Sequence, residues 1–184
     1  MRTIAKTIFL LFLFLFFTRN IYAEKIAGTS AAITYNVASN TKEKNLFIKK
    51  LSIKRIFEKY NAPLIDSADS FIATCQNFNL DCYLLPSIAG LESTFGRFIY
   101  PNSYNPFGWG GGMIMFNSWN EGIGTVAKGL RENYLNKGAD SVEQIGKIYS
   151  ESPTWALRVR YFMSEFQKEQ EKLQLYLSEN TVKL

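Results

Sequence analysis

A run rich in glycine, proline and asparagine between residues 97 and 117 most constrains what this chain can fold into. Its centre, residues 105–112, reads NPFGWGGG. Glycine and proline are the residues least compatible with a helix interior and most favoured in turns. We therefore expect one helix to end before this run, near Gly96, and the next to begin at Ser118. The glycines also suit the turn of a short β hairpin, with Met113–Phe116 as its return strand.

Apolar residues recur at helical spacing on both sides of this run. The pattern predicts a helix within 61–77, a second over 82–95 with Asp81 as its N-cap, and a third from Ser118. The apolar positions are Leu64, Ile65, Ala68, Phe71, Ile72 and Cys75, then Leu84, Ile88, Leu91 and Phe95, then Ile123, Val126, Ala127, Leu130 and Tyr134.

Two further helices follow toward the C-terminus. Asp140 or Ser141 caps a short helix through Tyr149, with Glu143 or Gln144 closing a capping box. A long final helix is expected from about Trp155. The predicted fold class is therefore mostly α (α+β), a helical domain with a small β hairpin lobe.

The first 23 residues read as a secretory signal peptide rather than as part of the fold. Arg2 and Lys6 precede ten apolar residues, Ile8–Phe17, and Ala23 is a suitable residue before a cleavage site. Ten apolar residues are fewer than the roughly 20 needed to span a bilayer. We expect export, membrane contact only through the signal peptide, a linker or N-terminal arm over 24–55, and the folded domain over 56–184.

Charge and composition exclude several classes of function. The chain has 21 Lys and Arg and 16 Asp and Glu; cleavage after Ala23 removes three basic residues and no acidic one, which leaves a net charge of +2. That balance argues against nucleic-acid binding. The chain has no histidine, which excludes Ser–His and Cys–His catalysis and histidine-ligated zinc. We expect neither a metal nor a cofactor.

The two cysteines, Cys75 and Cys82, are separated by the turn-like sequence QNFNLD. In one continuous helix they would lie about 10 Å apart along the axis, which is too far for a disulfide. A turn between two helices would let them pair in an exported protein. A disulfide and two buried thiols both remain open from the sequence.

Glu92 is the residue with the clearest catalytic potential. It lies near the end of the 82–95 helix, about 40° from Ile88 on the helical wheel, so it flanks the buried stripe. A carboxylic acid beside apolar side chains can keep its proton near neutral pH and donate it to a glycosidic oxygen. The alternative is a surface glutamate near a helix C-terminus.

The loop after Glu92 combines aromatic, amide and glycine residues. Tyr104, Asn105, Phe107 and Trp109 precede three consecutive glycines. Aromatic faces stack on sugar rings, amides match hydroxyl and acetamido groups, and glycines let the backbone come close to a bulky polymer. The combination favours a carbohydrate groove, although ordinary core aromatics would explain part of it.

Four segments carry a family resemblance: LLPSIAGLESTFG, NSYNPFGWGGG, FNSWNEGIGTVAKGL and IYSESPTWALRV. In this order they resemble the bacterial glucosaminidase family, of the mannosyl-glycoprotein endo-β-N-acetylglucosaminidase type, in the lysozyme-like superfamily. The resemblance covers about Tyr60 to Met163. It implies a lysozyme-like fold and an enzyme that hydrolyses peptidoglycan glycan strands in the periplasm or the extracellular cell-wall space.

The same resemblance implies roles for individual residues. Glu92 would be the general acid. Tyr104, Asn105, Phe107 and Trp109 would form the floor of the groove. Tyr149 would help to hold the acid or the sugar across the cleft.

The chain departs from the family where a second acid is needed. Hydrolysis by two carboxylates requires a second group about 5 to 9.5 Å from the first. The first acid after the loop is Glu121, and its rival role is a capping box with Ser118, which we favour over catalysis. A single-acid mechanism leaves hydrolysis and lytic transglycosylation open, and a non-catalytic peptidoglycan-binding module is the alternative of another class.

Overall fold

The computed structural model describes residues 20–181, with side chains from residue 40 to residue 178. Six α-helices and two short 3-10 helices occur in this range. They are α1 (Asn20–Lys59), α2 (Ala68–Asn77), α3 (Leu84–Ser93), α4 (Trp119–Asn133), α5 (Val142–Tyr149) and α6 (Trp155–Thr181), with 3-10 turns at Ile65–Ser67 and Leu135–Lys137. No β-strand occurs within residues 20–181, and the mostly helical class is confirmed. In the same range no helix is long and apolar enough to cross a membrane.

The described residues form two units, one ending at Asn45 and one beginning at Leu46. Residues 1–19 of the predicted signal peptide lie outside the described residues. Residues 24–55, expected to be a linker, are helical and belong to α1. The second unit begins before residue 56, the predicted start of the domain, because Ile48 and Ile53 are already buried.

The prediction of a β hairpin within 97–117 is wrong, because the described residues there form turns and no strand. Asn105 Nδ2 donates to the carbonyls of Trp109 (2.9 Å) and Ile114 (3.1 Å), and its Oδ1 accepts from the Trp109 N–H (3.0 Å). One amide therefore satisfies backbone groups that a hairpin would pair between its strands. Gly110–Gly112 have φ of 62°, 69° and 78° and form a turn, as expected, but Met113–Phe116 does not continue from it as a strand.

A cluster of phenylalanines forms the centre of the core in the second unit. Its fully buried members are Phe57, Phe71, Phe95, Phe107 and Phe166. The ring of Phe95 lies 5.2 Å from that of Phe57 and 6.0 Å from that of Phe166, between centroids. Aromatic pairs at such distances contribute about 0.5–1.5 kcal/mol beyond their burial. The core thereby ties α1 and α6 to the turn that follows α3.

Helix α3 ends in three consecutive residues with positive φ: Thr94 (51°), Phe95 (59°) and Gly96 (85°). The N–H groups of Thr94 and Phe95 donate to the carbonyls of Gly90 (3.1 Å) and Ala89 (2.9 Å). This turn folds the Phe95 ring over Gly90, where an added Cβ would lie 2.6 Å from the ring. Residues other than glycine adopt positive φ where their surroundings enforce it. Burial of Phe95 does so here, and the predicted stop at Gly96 is the end of the turn.

Of the two alternatives for the cysteines, the structure has the disulfide: Cys75 and Cys82 are bonded, with their Cα atoms 4.9 Å apart. It joins the end of α2 to the turn before α3. The predicted helix over 82–95 is shorter, Leu84–Ser93, because residues 82 and 83 are in that turn. Asp81, the predicted N-cap, accepts the N–H of Tyr83 at 2.8 Å and so stabilises the turn rather than the first residues of the helix.

Candidate active site

Glu92 is exposed on the last turn of α3, and its carboxylate lies between the indole of Trp155 and the backbone of Gly108. Trp155 Nε1 donates to Glu92 Oε1 at 2.8 Å. On the other side, a Cβ built on Gly108 would lie 3.2 Å from Glu92 Oε2. Gly108 also has φ of 62°, so glycine is required there by conformation as well as by space. The carboxylate is thus oriented by a hydrogen bond and remains accessible.

Trp155 is fixed by the packing of α6 on α5. It is the first residue of α6 and is 3% exposed. Its indole stacks on the ring of Tyr149, with centroids 4.9 Å apart and planes 28° apart. Gly146 of α5 lets the indole approach, because a Cβ there would lie 2.9 Å from Trp155 Cε3. The donor to Glu92 is therefore held on two sides by α5.

Tyr149 holds the loop beside the acid. Its hydroxyl donates to the carbonyl oxygen of Phe107 at 2.7 Å, directly before Gly108. Burial raises the pKa of Tyr149 well above its usual value, and the negative charge of Glu92 raises it further. Tyr149 therefore stays a hydrogen-bond donor through the neutral range, and its link to Glu92 runs through Trp155 and the loop.

Ser93 ties the end of α3 to the same loop. Its hydroxyl donates to the carbonyl oxygen of Pro106 at 2.7 Å and accepts the N–H of Gly96 at 2.8 Å. Ser93 is buried and follows Glu92 directly. The loop is therefore tied to α3 at Pro106 and to α5 at Phe107.

Three half-buried aromatic residues form a cluster next to Trp155. The ring of Trp109 lies 5.8 Å from that of Tyr149 and 6.1 Å from that of Tyr134, and the two tyrosine rings are 6.0 Å apart. Trp109 packs closely on α4, because a Cβ on Gly129 would lie 2.5 Å from its ring. We call Trp109, Tyr134 and Tyr149 the aromatic cluster. Aromatic faces of such partly exposed residues can stack on sugar rings.

Three of the residues predicted for the groove floor have other positions. Asn105 is 4% exposed and uses its amide within the loop, as described above. Phe107 is fully buried and packs toward Phe71, with ring centroids 6.4 Å apart. Tyr104 is half-buried and meets the edge of Trp119 at 5.1 Å. Of the predicted floor, Trp109 alone joins the aromatic cluster, because the Asn105 amide and the Phe107 ring serve the structure of the loop and the core.

Glu121 is engaged at the start of α4. Ser118 is the N-cap and its hydroxyl accepts the N–H of Glu121 at 3.2 Å, as the capping prediction requires. Glu121 Oε2 accepts the backbone N–H of Asn117 (2.7 Å) and its Nδ2 (2.8 Å), rather than the Ser118 backbone that we expected. Both hydrogen bonds to Oε2 stabilise the start of α4, which weakens the case for Glu121 as a second acid. Within residues 20–181, no group of His, Cys, Asp and Glu is placed to hold a metal ion.

Sequence reasoning missed Trp155, Gly108 and Tyr134. Trp155 lies 63 residues after Glu92, and only the packing of α6 on α5 brings the two together. A glycine inside a short helix, Gly146, is a sequence signal that indicates a large side chain packed against α5. Nothing local distinguishes Tyr134 from other apolar positions of its helix.

No protein-family model matches the chain, and no curated protein is found to be similar to it.

Proposed function

We propose that this protein is an exported hydrolase that cleaves the glycan strands of peptidoglycan, as a β-N-acetylglucosaminidase with Glu92 as its general acid. The observation that carries the proposal is the Glu92 carboxylate, exposed yet oriented by Trp155 and placed beside Gly108. A glycosidic oxygen needs a proton in order to leave. An acid held in one orientation, with space for the substrate beside it, can supply that proton.

The aromatic cluster supports a carbohydrate as the substrate. Trp109, Tyr134 and Tyr149 are partly exposed, and Tyr149 stacks on the indole that donates to Glu92. Rings of this kind stack on the C–H faces of sugars. The helical unit with its acid at a helix end, followed by a turn-rich loop, agrees with a lysozyme-like arrangement.

A single-acid mechanism fits the cap role of Glu121. Glu92 protonates the bridging oxygen, the bond from that oxygen to the anomeric carbon breaks, and the positive charge develops on the sugar ring. The anomeric carbon is then attacked by water, by the acetamido oxygen of the substrate, or by its own C6 hydroxyl. The last route gives an anhydro product and defines a lytic transglycosylase.

Export is supported by the Cys75–Cys82 disulfide, which persists in an oxidising compartment. Together with the predicted signal peptide, it favours the periplasm or the extracellular cell-wall space. The near-neutral charge of residues 24–184 agrees with a wall polymer as partner rather than nucleic acid.

Mass spectrometry of fragments released from purified peptidoglycan tests the proposal, with residues 24–184 and the Glu92→Gln variant. Gln can still accept the Trp155 N–H, so the fold is retained while proton donation is removed. We expect the wild type to release reducing N-acetylglucosamine ends and Glu92→Gln to lose about 10²- to 10⁴-fold in rate. Glu132→Gln is the matched control. Glu132 is exposed on α4, and its carboxylate forms an ion pair with Lys128 of the same helix at 3.9 Å.

The other outcomes separate the alternatives. Anhydro-muramic ends from the wild type alone would make the protein a lytic transglycosylase with the same acid. Full activity of Glu92→Gln would remove Glu92 from the mechanism. Absence of fragments, with both proteins still sedimenting with the wall, would make the protein a binding module.

A further inference from the structure

We propose that Trp155 is a positioning residue that decides which oxygen of Glu92 carries the transferable proton. Trp155 holds Oε1 as an acceptor, so the proton of the neutral acid lies on Oε2. The inference deepens the proposed function and rests on it, because a fixed proton position matters only if Glu92 donates the proton.

The first step is the chemistry of the contact. The indole Nε1–H can donate and cannot accept a hydrogen bond. At 2.8 Å from Nε1, Glu92 Oε1 must therefore present a lone pair in both the ionised and the neutral acid. In the neutral acid the carbonyl oxygen is a better acceptor than the hydroxyl oxygen, so this contact favours Oε1 as the carbonyl oxygen and Oε2 as the hydroxyl oxygen.

The second step is the rigidity of the donor. Trp155 is 3% exposed, stacked on Tyr149 and pressed against Gly146. Rotation of the indole away from Glu92 would break both contacts. The hydrogen bond is thus made by a side chain whose orientation is already fixed by the packing of α6 on α5, which is the requirement for a preorganised site.

The third step is the space beside the other oxygen. Oε2 faces Gly108, where even a Cβ would approach to 3.2 Å. The peptide before Gly108 is anchored by the Tyr149 hydroxyl on the Phe107 carbonyl at 2.7 Å. The bridging oxygen of a bound glycan is therefore expected on the Gly108 side of the carboxyl, next to the proton on Oε2.

Proton transfer from this arrangement balances without any further reactant. The proton moves from Glu92 Oε2 to the bridging oxygen, and the electron pair of the breaking carbon–oxygen bond goes to that oxygen. Glu92 becomes a carboxylate. The Trp155 hydrogen bond to Oε1 then strengthens, because a bond to a charged acceptor is stronger than a bond to a neutral one.

This strengthening predicts the effect of removing the donor. Without the Trp155 N–H, the carboxylate that forms during proton transfer is less stabilised, whereas binding of the glycan is not affected. In Trp155→Phe kcat should therefore be lowered about 10- to 100-fold with KM unchanged.

A readout independent of activity is the indole N–H resonance of Trp155 in the folded protein, compared by NMR between the wild type and Glu92→Gln. The chain has three tryptophans, so single Trp→Phe variants assign the three indole signals. We expect the Trp155 signal to move in Glu92→Gln, which replaces a carboxyl acceptor by an amide, while the other two signals stay in place. This comparison does not require Trp155→Phe to be active.

Trp119→Phe is the matched control, since Trp119 meets Tyr104 and not Glu92. Its kcat should equal that of the wild type. An unchanged Trp155 signal in Glu92→Gln, or an unchanged kcat in folded Trp155→Phe, would overturn the inference. Cleavage by the wild type with an unchanged Trp155 signal removes the role of Trp155 alone, whereas a changed signal without cleavage removes the proposed function alone.

Discussion

At the scale of single residues, the candidate site depends on one glycine that touches the acid. Gly108 combines φ of 62° with a position 3.2 Å from Glu92 Oε2 for any added Cβ. Gly111 offers a comparison, because it has φ of 69° and nothing within 4 Å of an added Cβ. The two positions share the backbone requirement and differ in the contact with the acid.

We expect Gly108→Ala and Gly111→Ala each to lower the free energy of unfolding by about 1 kcal/mol, since both place alanine at positive φ. Only Gly108→Ala should abolish cleavage, because its methyl group displaces the carboxylate or fills the space next to it. Denaturant unfolding and release of peptidoglycan fragments measure the two effects. Equal loss of cleavage in both variants would show that loop strain, and not the contact with Glu92, is responsible.

Tyr149 predicts a pH dependence of stability. Its pKa in the folded state is well above the unfolded value near 10, so its contribution is complete below about pH 10 and is lost as the pH rises further. Tyr149→Phe should be less stable by about 1 kcal/mol at neutral pH, because the Phe107 carbonyl loses its donor.

The stability difference between wild type and Tyr149→Phe should therefore shrink above about pH 10. Urea unfolding followed by circular dichroism at about pH 8 and about pH 11 measures it. Tyr83→Phe is a useful comparison, since burial raises the pKa of Tyr83 to about 12 at a position tied to Gln170 rather than to the loop. A constant difference across this range would contradict the assigned cause.

At the scale of elements, the contact of α3 with α6 depends on Gly90. An added Cβ there would lie 2.6 Å from the Phe95 ring and 3.1 Å from Phe162. Gly90→Ala should destabilise the protein by about 1–3 kcal/mol through overpacking. Gly124→Ala on α4, where a Cβ meets nothing within 4 Å, should instead stabilise it by about 0.5–1 kcal/mol. Thermal unfolding of both variants measures the pair, and a stabilised Gly90→Ala would disprove the tight packing.

Helices with an apolar stripe could be predicted from the sequence, and elements without one could not. The stripe of α4 is buried at Ile123, Val126 and Leu130, as expected from its spacing. The capping box of α5 is also confirmed, with Ser141 and Gln144 as its members. By contrast, the first part of α1 has no apolar period, so its sequence predicts a linker where the structure has a helix.

The loop shows why the candidate site was only partly predictable. Glu92 lies at a helix end because of local signals, the apolar stripe and the turn that follows. The partners of Glu92 are Trp155 and Gly108, and their approach depends on how α6 and the loop pack. The hairpin failed because a side chain, Asn105, took the backbone partners that sequence patterns assign to a second strand.

At the scale of the whole molecule, the core-bearing unit begins at Leu46. Its first buried apolar residues are Ile48 and Ile53, and the rest of its core follows along the chain. We expect a chain of residues 46–184 to fold on its own, with a melting temperature within about 5 °C of that of residues 24–184. A chain that begins at Pro63 loses Ile53 and Phe57 from the core and should not fold.

Circular dichroism melting curves of the three chains test this division. The 46–184 chain should also keep the ability to release peptidoglycan fragments, because every residue of the candidate site lies within it. Failure of that chain to fold, with residues 24–184 folded, would show that the first part of α1 is needed for the core.

The three hydrogen bonds of Asn105 also have an evolutionary consequence. Two are donated and one is accepted by the same amide, a combination that aspartate and leucine cannot supply at that length. In any lineage that keeps this loop, neutral drift should be blocked at Asn105 and free at Met113, which is 72% exposed. Relatives of this protein are therefore to be sought by this pattern of fixed and free positions rather than by overall identity.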